Sequence, residues 1–236
     1  MTSNKDRNDV PAGRLTTDVE TFLKKLAVTP HIPQEKRGRL LFGLDATASR
    51  EPTWDQACQI QAEMFAATVS LGGLEIQLSY YRGYHEFVAL PWLTSAKELI
   101  HLMTRVRCLG GFTQIARFLD NAIKEGGARK INAAVFVGDC VEEDVDLLSE
   151  KAGQIGLLGV PIFVFQEGSD PAASATFSHM ARLTGGVHCY FNSSSAGQLQ
   201  DLLRAVAIFA AGGRQALESH SRNGGKEIKL LASKLR

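Results

Sequence analysis

Paired cysteines are missing from this sequence. Cys58, Cys108, Cys140 and Cys189 stand alone, with no C-x-x-C pair and no spacing that fits a structural zinc ligand set. There is no run of about 18 apolar residues, the length a bilayer-spanning helix needs. Met1 is followed by Thr-Ser-Asn-Lys-Asp-Arg rather than an apolar stretch, so a secretory signal is not expected. Unpaired cysteines then suit a reducing compartment, and a cytoplasmic location is the expectation. Charge of one sign is not in excess either: 26 lysines and arginines face 25 acidic residues, a formal net charge of +1. No whole-chain field draws nucleic acid or an acidic membrane, and no basic face interleaved with aromatics supports nucleic-acid binding. The histidines form no H-x-x-x-H or H-E-x-x-H set. Gly153-x-x-Gly156-x-x-Gly159 has the wrong spacing for a dinucleotide and reads as turn chemistry at a helix end.

What is present fits one domain with two extensions. The chain has 236 residues, 44% of them hydrophobic, enough for one good core. Residues 1–37 read as a polar arm with a short helix through Val19, Phe22, Leu23 and Leu26, started by the capping box Thr17-x-x-Glu20. Residues 38–212 read as the domain. Residues 213–236 read as a polar, basic tail; Ile228, Leu231, Ala232 and Leu235 give it an apolar stripe, read as a frayed or body-packed helix before a partner or lipid contact.

Within the domain, apolar strands and helical patterns alternate. A strand ending at Asp45 is followed by a helix over 53–71 closed by Gly72-Gly73, then a strand pair at 74–82 and 85–91, the one antiparallel connection. Helices are expected at 94–106 and 113–125, a buried strand at 131–138, a helix at 143–156, a strand at 160–165, a helix at 171–184, a strand at 187–191 and a helix at 195–211. This order predicts an α/β fold in three layers: a doubly wound, mainly parallel sheet with one antiparallel edge strand and helices on both faces. Polar residues at the carboxyl ends of the strands then become the candidates for function.

Asp45-Ala46-Thr47-Ala48-Ser49 ends the first apolar run. A carboxylate and two hydroxyls at steps of two point the same way in an extended or turning segment, which makes a hard-oxygen set. Gly110-Gly111-Phe112-Thr113 offers a further hydroxyl before a helix. Val135-Phe136-Val137-Gly138-Asp139 offers a second carboxylate at the end of another strand. Asp45, Thr47, Ser49, Thr113 and Asp139 together suit Mg²⁺ better than zinc or copper, because Mg²⁺ takes oxygen ligands and keeps waters.

D-x-T-x-S after a hydrophobic strand, then Gly-Gly-x-Thr, then a strand-terminal Asp, resembles the metal-ion-dependent adhesion site of von Willebrand factor A domains. Leu183-Thr184-Gly185-Gly186 ahead of a short strand extends the likeness, which covers about residues 38–212. The resemblance implies that Thr47 and Ser49 coordinate Mg²⁺, with Mn²⁺ or Ca²⁺ as alternatives, that Asp45 and Asp139 bind directly or through water, and that Thr113 joins in one loop arrangement. It implies a protein partner offering an Asp or Glu carboxylate, binding rather than catalysis, and a bacterial cytosolic adaptor working beside an AAA+ ATPase or chaperone-like machine. The family's usual Thr-Asp-Gly is replaced here by Gly138-Asp139-Cys140, which leaves Cys140 without a role in the resemblance; it reads as a small buried or half-buried apolar residue, before a redox or metal role.

Asp45 and Asp139 also resemble the carboxylates of haloacid-dehalogenase-type phosphatases. In that alternative Asp45 is the nucleophile, Thr113 binds phosphate, Lys130 stabilises charge and Asp139 holds magnesium. Thr47 stands where that family places its acid–base aspartate, which weighs against turnover.

Overall fold

A computed structural model describes residues 37–53, 73–191, 201, 203–212, 216 and 219. The expected N-terminal helix, the helix over 53–71 beyond its first residue and the apolar stripe of the tail fall outside these residues. The described chain runs β1 (Gly38–Asp45), a 3-10 turn (Ala48–Thr53), β2 (Leu74–Arg82), β3 (Glu86–Ala89), α1 (Ala96–Met103), α2 (Ile115–Ala128), β4 (Ala133–Gly138), α3 (Val145–Leu157), β5 (Ile162–Glu167), α4 (Pro171–Thr184) and β6 (His188–Phe191). A last helix, α5, covers 203–212.

The six strands form one sheet in the order β3-β2-β1-β4-β5-β6. Every pairing is parallel except β2 with β3, so the fold is the α/β arrangement with one antiparallel edge strand that the alternation predicts. Parallel strands covered on both sides read as continuous apolar runs, and β1 and β4 are buried along their whole length. Successive side chains of β1 alternate between layers: Leu40, Phe42 and Leu44 join one core with Val135, Phe163, Val206 and Phe209, while Leu41 joins the other with Phe118, Phe136 and Phe177. Two glycines of β1 permit this packing. A Cβ on Gly38 would lie 1.9 Å from the carbonyl oxygen of Ala210, so α5 crosses the strand where no side chain intervenes. A Cβ on Gly43 would lie 2.4 Å from the ring of Phe118 on α2.

Helix ends follow local chemistry. Asp144 caps α3 by accepting from the backbone N–H groups of Asp146 and Leu147, and Asp170 caps α4 by accepting from Ala173. Leu183-Thr184-Gly185-Gly186 ends α4 through Gly185 at φ 72°, and the Thr184 hydroxyl accepts from the N–H of Ile162 at 3.1 Å, docking the helix end on β5. Gly156 departs from the turn expected of it. It lies inside α3, where a Cβ would come within 2.4 Å of the Leu183 carbonyl, so its smallness serves the α3–α4 contact. The helix expected over 94–106 is shorter, Ala96–Met103, because the chain turns at Thr104-Arg105 and then runs irregularly to α2.

The chain leaves β1 in one direction toward β2 and in the other toward β4. The carboxyl ends of β1 and β4 therefore flank the point where strand order reverses, the usual crevice for a ligand in an open α/β sheet.

Candidate metal centre

Asp45 is the last residue of β1 and is fully buried at that crevice. Its Oδ1 accepts from the Thr47 N–H at 2.7 Å and its Oδ2 accepts from the Tyr81 hydroxyl at 3.0 Å. Tyr81 arrives because parallel pairing sets it opposite Asp45 in β2. Burial raises the Asp45 pKa; the bonds from Thr47 oppose the rise, and Asp139 adds to it. Burial, with the Asp45 charge, likewise holds the Tyr81 phenol well above its ordinary range, so it stays a donor.

The turn after β1 carries the two hydroxyls. Thr47 is buried, Ser49 is exposed, and their oxygens stand 3.1 Å apart, so the step of two does converge them. The loop 106–114 is laced to this turn: Leu109 N–H donates to the Ala46 carbonyl, Gly83 N–H to the Leu109 carbonyl, and Ala46 N–H to the Tyr81 carbonyl. Gly111 is required here, since a Cβ would fall 1.9 Å from the Gly83 carbonyl oxygen.

Thr113 is buried, and its hydroxyl accepts from the Glu142 N–H at 3.0 Å while its own N–H donates to the Glu142 carboxylate at 2.9 Å. The hydroxyl keeps a second lone pair, but the contacts of Thr113 run to the β4–α3 loop. Glu143 on the same loop accepts from the N–H groups of Ile115 and Ala116 and closes the start of α2.

Asp139 follows β4. One of its oxygens, Oδ1, is buried with no hydrogen-bond partner. A carboxylate oxygen withdrawn from water without a donor is costly, and a guanidinium's field does not replace the missing bond, so the residues present fit a bound ion on an observation of their own. Carboxylate oxygens of Asp45 and Asp139 and the sulfur of Cys140 all lie within 4.8 Å of one another. Cys140 is thus placed among the donors, not in the apolar role expected of it. Burial, Asp139 and Asp45 push its thiol far above the ordinary range. Cys108, farther along the rim, is pushed up to about 11, mainly by burial.

Sequence reasoning passed over Arg50. It is 1% exposed, paired with Glu167, and set in the field of Asp139 and Asp45; burial lowers its pKa and those carboxylates oppose the fall. A long basic residue one step after Ser49 reads as surface in a sequence, and only the tertiary structure shows it buried and paired with Glu167 at the end of β5. Arg50 gives the carboxylates a resident countercharge. Lys130, by contrast, stands before β4, so the whole strand, roughly 20 Å at 3.3 Å per residue, separates it from Asp45 and Asp139. The phosphatase constellation is not assembled.

No family model matches this sequence, and no curated protein does. Solved structures do share its fold. The VWA domain of SpRpn10 superposes with a TM-score of 0.58 at 12% identity, covering 71% of this chain and 94% of that one. Proximal thread matrix protein 1 from the mussel byssus, described with a zinc-occupied MIDAS motif, gives 0.58 at 12% identity over 73% of this chain and 46% of that one. Manganese-loaded TRAP protein of Plasmodium vivax gives 0.53 at 14% identity over 71% and 74%. The fold is that of von Willebrand factor A domains, and this chain spans less than half of the mussel protein.

Proposed function

We propose that this chain is a divalent-cation-dependent protein-interaction domain. Asp45, Thr47, Ser49, Thr113 and Asp139 hold the ion, and a partner's Asp or Glu carboxylate completes the shell. The observation that carries this reading is the buried, unbonded Oδ1 of Asp139 facing a second buried carboxylate at the sheet's switch point. Two carboxylates roughly neutralise the ion and leave it able to accept one more oxygen. Neighbours in fold described as zinc-occupied and manganese-loaded support an ion at this edge, and Mg²⁺ is the abundant hard cation that such an oxygen set suits, with Mn²⁺ or Ca²⁺ as alternatives.

A protein partner is favoured over a small molecule by the rim. Five of the seven large apolar side chains exposed among the described residues, Tyr84, Leu109, Phe112, Val145 and Leu147, lie on the loops and helix starts at this one edge. Tyr84 and Phe112 pack edge to face at 5.3 Å. Apolar groups ringing a polar centre are the anatomy of a binding patch. The site binds and does not turn over substrate, and the domain spans 38–212 with an arm and a tail. It acts in a bacterial cytoplasm, as an adaptor to an AAA+ ATPase or chaperone-like machine.

Millimolar Mg²⁺ or Mn²⁺ should raise the melting temperature of the full chain, and Ser49→Ala or Asp139→Asn should remove that rise while leaving the far-ultraviolet circular dichroism intact. A capture experiment from cell extract with and without chelator then names the partner. A melting curve indifferent to every divalent ion sinks the proposal.

A further inference from the structure

We propose that Cys140 is itself a ligand and that its sulfur makes this a site for a thiophilic divalent cation, taking Zn²⁺ ahead of Mg²⁺. The inference rests on the reading of Asp45 and Asp139 as an ion site, and it names the ion. Three observations carry it. The donor atoms of Asp45, Asp139 and Cys140 are mutually within 4.8 Å, and no other such group of His, Cys, Asp and Glu occurs among the described residues. With metal–oxygen bonds of about 2.0–2.2 Å and metal–sulfur bonds of about 2.3 Å at a tetrahedral angle, ligands on one zinc ion stand roughly 3.4–3.7 Å apart, so the three donors need close by no more than about 1.4 Å to share an ion.

The second observation is the buried Oδ1 of Asp139, which has no hydrogen-bond partner, on a carboxylate to which the Cys140 thiol is itself bonded. The third concerns what Cys140 does not do. Of the two half-buried cysteines, Cys108 packs against the apolar core, whereas Cys140 belongs to neither core cluster although its neighbour Val141 does. This half-buried thiol lies against two carboxylates and is bonded to one of them, so its contacts are polar and its sulfur is within reach of an ion that they hold.

The chemistry follows from ligand softness. Mg²⁺ takes oxygen and sheds water reluctantly, while thiolate selects Zn²⁺ and its borderline neighbours. On binding, the sulfur–metal bond replaces the S–H bond, the proton passes to buffer, and the ion gives up coordinated waters; nothing is oxidised or reduced. Two carboxylates and a thiolate bring three negative charges to a doubly charged ion. The buried guanidinium of Arg50, in the field of both carboxylates, offsets the surplus. The Thr47 and Ser49 hydroxyls and a carboxylate from outside fill the rest of the shell.

The experiment uses the full chain and Co²⁺ as a spectroscopic stand-in for Zn²⁺. Wild type should develop the near-ultraviolet sulfur-to-cobalt charge-transfer band, Cys108→Ser should keep it, and Cys140→Ser should lose it. In competition titrations Cys140→Ser should weaken Zn²⁺ binding by at least the roughly 10–100-fold that loss of a supporting partner costs. Its Mn²⁺ affinity and ion-free melting temperature should stay near wild type, which excludes misfolding. Co²⁺ binding that protects the fold without a sulfur band, or a Cys140→Ser variant that holds Zn²⁺ as tightly as wild type, overturns the inference and leaves the proposed function standing. Binding of no ion at all overturns both.

Discussion

At the scale of single residues, Asp45 decides the behaviour of the ion-free protein. Its carboxyl is buried, and burial outweighs the bonds from Thr47 and Tyr81, so its folded pKa lies above the ordinary carboxylate value. A raised acid pKa means that the folded state holds the proton more tightly than the unfolded chain. Below the unfolded value of about 3.9 both states are protonated and nothing is lost. As pH climbs from there through the raised folded value, this group's contribution to stability declines, and it stays lost at neutral pH. Asp45→Asn keeps an oxygen for the Thr47 N–H and turns its amide toward the Tyr81 oxygen. It should therefore raise the ion-free denaturation midpoint at pH 7, flatten that part of the pH profile, and abolish the rise produced by divalent ion. Urea unfolding at several pH values with and without ion measures all three. A variant less stable than wild type at pH 7 without ion would show that the bonds to Asp45, not its burial, dominate.

Elements were readable in proportion to how far local sequence determines them. Strands buried on both faces, such as Ala133–Gly138, announce themselves as unbroken apolar runs, and Gly185 with φ 72° ends α4 where a glycine pair marks it. The carboxylates at strand ends were legible for the same reason, since strand direction and position follow from the alternation. The partners of those carboxylates were not. Tyr81 meets Asp45 through parallel register between β1 and β2, Arg50 is buried and paired with Glu167 far along the chain, and whether Cys140 packs or ligates depends on a tertiary distance. The Glu142 and Glu143 contacts to Thr113 and the start of α2 span nearly thirty residues of chain and leave no periodic trace. Where an element does depend on one small residue, the prediction is firm. Gly43→Ala drives a methyl into the ring of Phe118, so α2 must shift or the strand must bend, at a cost of about 1–3 kcal/mol. Chemical denaturation reads the cost directly, and an unchanged midpoint would mean that the Phe118 ring swings aside freely.

For the molecule as a whole, α2 links the two ends of the sheet. Its first turn is held by Glu143 from the loop that carries Asp139, and near its other end Glu125 accepts from the Trp92 indole at 2.7 Å and from Arg39 at 3.3 Å. Arg39 in turn stacks over the Trp92 ring at 3.7 Å. A 14-residue helix spans about 21 Å, and its backbone bonds make it stiff over that length. The helix is thus a pushrod with a grip at each end. A displacement of the Asp139 loop on ion binding would pull on Glu143 and so on the first turn of α2, whose far end carries the Glu125–Trp92 contact. Ion binding should therefore alter Trp92 fluorescence, and Glu143→Gln, which weakens the upper grip, should diminish that change even where the ion still binds. If the indole responds equally in both proteins, the two poles are mechanically independent. If not, this small domain carries its own gauge: occupancy on one face, displayed on the other.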